Sequence, residues 1–172
     1  MSAPSVVLER ALLREGLLEV LDARRAGSPA LGSFERRLRD ADLLALGALA
    51  DVIRRDEIGP VVHVHLDAAV PEAIRLRGLD LLRETAIARV LGPRAARVCV
   101  DFGASGFEIA QVALGFGASE LSGPVANRRG LPIAEDALKK VKGKGMVALK
   151  ALAQEEILTL VRRAGREPVV TS

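Results

Sequence analysis

Tryptophan and tyrosine are absent, and phenylalanine occurs only four times. The aromatic platforms that usually stack single-stranded bases are therefore missing, so nucleic acid is not an expected partner. One cysteine, Cys99, excludes an internal disulfide and any site that needs several thiolates from one chain. No run approaches the ~20 apolar residues of a membrane span. Met1 to Arg10 lacks the basic-then-apolar order of a signal peptide. The expected setting is the cytoplasm, away from membranes. Lysine is also scarce: five residues, all between Lys139 and Lys150, against 20 arginines. The formal net charge is only +3, too little for a surface that tracks phosphates.

What is present is helix-forming and apolar. The 172 residues include 27 alanines and 26 leucines, and 49% are hydrophobic. That suits a single domain, 1–172, with a helical part over 1–57 and a β/α part over 60–172. Periodicity predicts a first helix over 5–25, stopped by Gly27-Ser28-Pro29, and a second over 41–55. The β-branched run Val61 to Leu66 reads as a strand. Pro71 suits the first turn of a helix running to Leu91. Strand 97–102, helix 105–116, a short strand at 120–122, a long loop over 127–150, helix 154–164 and a last strand at Val169-Val170 complete the chain. Strands alternating with amphipathic helices predict an α/β fold with a parallel sheet. So few strands imply a partial (β/α) barrel or a small open sheet, closed by a second copy or covered by the N-terminal helices. Open sheet edges recruit partners.

Three segments carry a family resemblance. They are Ala41 to Arg55 with the strand to His65; Glu84 to Arg89 with Ile109 to Gly123; and Ile157 to Val169. In this order they resemble the beginning and end of the radical SAM enzymes of futalosine-dependent menaquinone biosynthesis, aminofutalosine synthase and cyclic dehypoxanthinyl futalosine synthase. Gln111 to Gly123 is the most specific stretch. The resemblance implies a (β/α) barrel with a cluster loop just after the first strand. Where that family has CxxxCxxC, this chain has Leu66-Asp67-Ala68-Ala69-Val70-Pro71. The family's acidic residue on the last strand would fall at Glu120. Cys99 alone cannot hold the iron–sulfur cube that cleaves S-adenosylmethionine. The resemblance thus implies a shortened, cluster-less relative without radical chemistry.

Several residue groups could carry chemistry. His63 and His65 are two apart on a strand and face one side, with Asp67 continuing that side. Two imidazoles and a carboxylate can bind zinc or iron, and otherwise pack at a strand end. Gly103-Ala104-Ser105-Gly106 lies between a strand and a helix, where parallel sheets hold ligands, and is otherwise a tight turn. Asp101 and Glu120 belong at strand ends on the same side. Lys142 and Lys144 sit in a Lys-Gly-Lys-Gly loop able to meet an anion or an acidic partner, or simply to be solvated. The ligand-binding candidates are therefore Asp101, Gly103, Ser105, Glu120, Lys142 and Lys144; the metal candidates are His63, His65 and Asp67. No serine has a triad partner fixed by spacing, and no self-sufficient catalytic set emerges. The expected function is a non-catalytic accessory or ligand-binding subunit, linked through the resemblance to menaquinone biosynthesis. It would pair with a second copy or a full-length radical SAM enzyme and take a small-molecule ligand. The alternatives are a small metal-dependent enzyme using the histidine face, and an interaction module presenting the basic loop.

Overall fold

A computed structural model describes residues 6–125, 138–141, 145–148 and 152–171. The element order is α1 (Val6–Arg14), α2 (Leu17–Arg25), α3 (Glu35–Asp40), α4 (Leu43–Glu57), β1 (Val61–Leu66), α5 (Gly78–Leu91), β2 (Cys99–Asp101), α6 (Phe102–Ser105), α7 (Phe107–Ala113), β3 (Glu120–Gly123), β4 (Leu138–Val141), β5 (Gly145–Ala148), α8 (Gln154–Arg163) and β6 (Glu167–Thr171). Four strands form one sheet in the order β2-β3-β1-β6, and every neighbouring pair is parallel. The expected α/β class with a parallel sheet is therefore found. β4 and β5 form a separate antiparallel pair, inside what the sequence pattern predicts as a long loop.

Local chemistry explains the boundaries. α4 opens at Asp42, whose Oδ1 accepts the N–H groups of Leu44 and Ala45, both at 3.0 Å. The helix predicted over 5–25 is two helices, because Gly16 adopts φ 66° between them. The helix predicted from Pro71 begins only at Gly78, itself at φ 58°. Residues before it run along β2 instead: Ile74 N–H donates to Cys99 O at 2.9 Å, and its carbonyl accepts from Asp101 N–H at 3.1 Å. The helix predicted over 105–116 is also divided, at Gly106 with φ 95°.

Ile74 thereby caps one edge of the sheet. The other edge, β6, is blunted by Pro168. Glu167 N–H points inward to Pro60 O at 3.0 Å, so the next residue faces outward, and proline has no N–H to offer there. One edge is thus covered, and the other lacks one outward donor while Val170 still faces outward.

Register fixes which side chains share a face. Val62, Val64, Val100 and Leu121 point to the helix layer and are buried. They join Leu46, Leu49 and Ile53 of α4, Leu81 and Val90 of α5, and Leu12, Leu17 and Leu21 from the N-terminal helices. This one core holds the N-terminal helices onto the β/α part, each fully buried aliphatic side chain contributing about 1.5–3 kcal/mol.

Helices in such a layer run antiparallel to the strands, so their C-terminal ends gather at the sheet's base, where last-turn carbonyls lack helical partners. Arginines there satisfy one such carbonyl, Val90 O, and otherwise the carbonyls of the connections that follow the helices. Arg24 on α2 donates to Val90 O (3.2 Å), Gly92 O (2.6 Å) and Pro93 O (3.1 Å), and pairs with Glu57 at 2.7 Å. Arg89 donates to Gly117 O, Ala96 O and Ser119 Oγ at 2.6–3.1 Å. Arg54 donates to Gly59 O and to Asp51, which Arg166 also meets at 2.7 Å. Arg54 and Arg89 are 0% exposed. Burial pulls the Arg89 pKa down to about 10, and the nearby Arg54 and Arg24 add to the fall while Glu57 opposes it.

Candidate functional site

The face of the sheet opposite the helix layer is polar. Register makes two rows across it: Cys99, Glu120, His63 and Val169, then Asp101, Ser122, His65 and Thr171 nearer the strand ends. Alternation does this directly. In Val62-His63-Val64-His65 the valines enter the core and the histidines turn away.

Glu120 lies at the centre and is 4% exposed. Its Oε2 is 3.1 Å from His65 Nε2, one row above. Its Oε1 is 3.3 Å from Arg97 Nη1, an ion-pair distance, yet has no hydrogen-bond partner among the described residues. Ser122, 1% exposed, likewise has a buried hydroxyl oxygen that meets no hydrogen-bond geometry among them, its neighbour being the weakly interacting Cys99 thiol. Buried polar atoms are nearly always paired, because stranding one costs about 1–3 kcal/mol. Two neighbouring strand residues with unmet polar atoms mark this face as the candidate site. Glu120 is the first residue of β3, level with Cys99 at the start of β2, so it does not share the strand-end position expected for it with Asp101. Only the upper row, with Asp101, Ser122 and His65, lies toward the carboxyl ends, where α/β sheets hold their ligands.

The surrounding residues are committed to structure. His63 Nδ1 is 3.2 Å from Thr171 Oγ1, tying β1 to β6. Asp101 caps the turn above it, with Oδ1 accepting from Ala104 N–H at 3.1 Å and Oδ2 paired to Arg75 at 3.0 Å. Asp67 adopts φ 52°, and its Oδ1 accepts Val125 N–H at 2.9 Å. It is therefore turned to the chain after β3, while His63 and His65 have separate partners. Among the described residues no three histidine, cysteine, aspartate or glutamate side chains are grouped for a metal ion. Gly103 is explained by packing: a Cβ there would stand 2.7 Å from Pro124 Cδ. Ser105 lies farther along the turn, with its own buried, unpartnered hydroxyl oxygen. Lys142 and Lys144 fall outside the described residues.

The sequence points to Glu120 but offers no triad partner that would single out Ser122. Its signal was the i, i+2 spacing on one strand. The contact between His65 and Glu120 depended on a register that spacing does not supply.

Chemically, the carboxylate orients an imidazole and could support proton transfer, but neither neighbouring nucleophile is activated. Burial pushes the Cys99 thiol up to about 11; the neighbouring Ser122 hydroxyl opposes the rise and the charges of Glu120 and Asp101 reinforce it, so thiolate is scarce near neutrality. Ser122 has no base against its hydroxyl, since His65 Nε2 is engaged by Glu120. The arrangement suits holding a polar molecule better than cleaving one.

No helix among the described residues is long and apolar enough to cross a membrane. No protein-family model and no curated protein matches the chain.

Proposed function

We propose that this chain is a non-catalytic binding protein that takes a small polar molecule on the sheet face around Glu120, Ser122 and His65. One observation carries the reading: the buried Glu120 carboxylate, held on one oxygen by His65, keeps its other oxygen without a hydrogen-bond partner among the described residues. A ligand that donates a hydrogen bond to Glu120 Oε1 and engages the Ser122 hydroxyl would meet both needs.

Kinship to the futalosine-pathway radical SAM enzymes belongs to the same proposal. The sequence resemblance supports it. So does the strand order β2-β3-β1, in which two later strands flank the first as the last strands of a closed barrel flank the first. With no cluster cysteines after β1, the role consistent with that kinship is an accessory one beside a complete enzyme.

Native mass spectrometry of the untagged protein as purified tests the reading. The wild type should carry an extra mass of metabolite size, and Glu120→Gln, which is isosteric but uncharged, should lose it. Bare chains in both samples would count against a ligand at this face.

A further inference from the structure

A second feature lies on the helix side of the sheet, away from Glu120. Between the start of α5, the turn joining α6 to α7, and α8 there is a cleft of about 810 Å³. Its walls are mostly apolar: Phe107, Ile109 and Val112 from α7, with Leu152 and Leu160 opposite. Gly78 and Gly106 also border it, and a Cβ built on either would meet nothing within 4 Å, so the space is open at both.

The walls are braced. Gln111 Nε2 donates to Leu160 O at 3.1 Å, which fixes α7 against α8. Phe107 is held edge-on to Phe102, with ring centroids 5.3 Å apart. The cleft is thus preformed, with the volume and apolar lining typical of a small-molecule site. Val112, on its wall, is 49% exposed, and Leu79, beside Gly78, is 67% exposed. Large exposed apolar side chains around a cleft mark a place where apolar surface is meant to be covered. One polar need accompanies them, because Ser105 borders the cleft and its hydroxyl oxygen is buried without a partner among the described residues. Glu108 is the one ionisable side chain among the described lining residues, so the cleft offers an anion no countercharge.

We infer that this cleft binds a neutral, largely apolar small molecule carrying one hydrogen-bonding group, at a site separate from the polar sheet face. The apolar body lies between Phe107, Ile109 and Val112 on one wall and Leu160 on the other, and the polar group reaches toward Ser105. The inference does not rest on the reading of Glu120.

N-phenyl-1-naphthylamine is a suitable probe. It is neutral and apolar, carries one N–H, and is dark in water but bright in an apolar site; the protein has no tryptophan or tyrosine emission to interfere. Titration should give a saturable rise in emission at one dye per chain. Val112→Asp and Val112→Lys each place charge on an exposed wall position and should weaken binding at least tenfold. Ser105→Ala should weaken it roughly two- to tenfold through loss of one hydrogen bond. Leu44→Asp, at an exposed position on α4, and Glu120→Gln should leave it unchanged. Circular dichroism of each variant establishes folding. No saturable rise with the wild type would overturn the inference. So would wild-type affinity in both Val112 variants, or a loss in Leu44→Asp as large as theirs.

Discussion

The base of the sheet and its polar face handle buried polar groups in opposite ways. At the base, Arg24, Arg54 and Arg89 are almost wholly buried, and each is tied to backbone carbonyls. On the polar face, Glu120 and Ser122 are as deeply buried, but each keeps an oxygen without a hydrogen-bond partner among the described residues, Glu120 Oε1 having only the Arg97 guanidinium at ion-pair distance. Of four buried side-chain polar atoms without partners among the described residues, three belong to Ser105, Glu120 and Ser122, and only Arg166 Nε belongs to the base. Topology accounts for the difference. The base gathers the connections that follow the helices, and their fixed backbone carbonyls are satisfied by guanidinium forks. The polar face receives no such ready-made partners, and its unmet polar atoms are what the proposed ligand would satisfy.

The sharpest way to break this comparison is to damage the base. Arg24→Met should cost about 3–5 kcal/mol in urea unfolding, because it strands the buried Glu57 carboxylate and three carbonyls. A loss under 1 kcal/mol would show that the staple is idle. Gly117→Ala comes next. Gly117 has φ 96°, and a Cβ there would lie 2.7 Å from Arg89 Cβ, so backbone strain and a displaced arginine should together cost about 1–3 kcal/mol. An unchanged urea midpoint would mean that the contact relaxes freely.

Acid should act on the base as well. Burial alone would raise the Glu57 pKa, but the Arg24 and Ala95 hydrogen bonds and the Arg24 charge outweigh it, and the folded value lies below the usual one. Its stabilisation is therefore complete above the unfolded pKa of about 4.3 and is lost as pH falls through the lower folded value. The wild-type advantage over Arg24→Met should shrink below about pH 4, as measured by urea midpoints between pH 6 and 3. A gap that stays constant with pH would contradict this. Alkali should act on the polar face, and more weakly. The folded Cys99 pKa, about 11, exceeds the unfolded value of about 8.5, so unfolded chains lose that proton first and stability falls above about pH 8.5. At pH 8 the native thiol should resist Ellman's reagent, and one thiol per chain should react in urea. Rapid reaction of the native protein would show that the face is open.

Much of this architecture was legible from the chain. β1 was read at its observed limits, because four branched residues alternate with two histidines between turn signals. The alternation also placed His63 and His65 on one side. Glycines interrupt three predicted helices, since Gly16, Gly78 and Gly106 occupy positive φ where periodicity alone continues the helix. Arginine staples were invisible for a different reason. Arg24 meets Val90 and Gly92 across 66 and 68 residues, and no local pattern encodes such distances. The same holds for the site. Glu120 could be named, but its neighbours follow from the order β2-β3-β1, which sequence separation does not reveal.

The central claim is that Glu120 is retained for binding and not for stability. Urea unfolding of Glu120→Gln beside Arg24→Met measures this directly. The account predicts that Glu120→Gln stays within about 1 kcal/mol of wild type, since the second oxygen has no hydrogen bond among the described residues and only the exposed Arg97 at ion-pair distance, while Arg24→Met loses several. A Glu120→Gln loss as large as that of Arg24→Met would make the carboxylate a structural group and contradict the account.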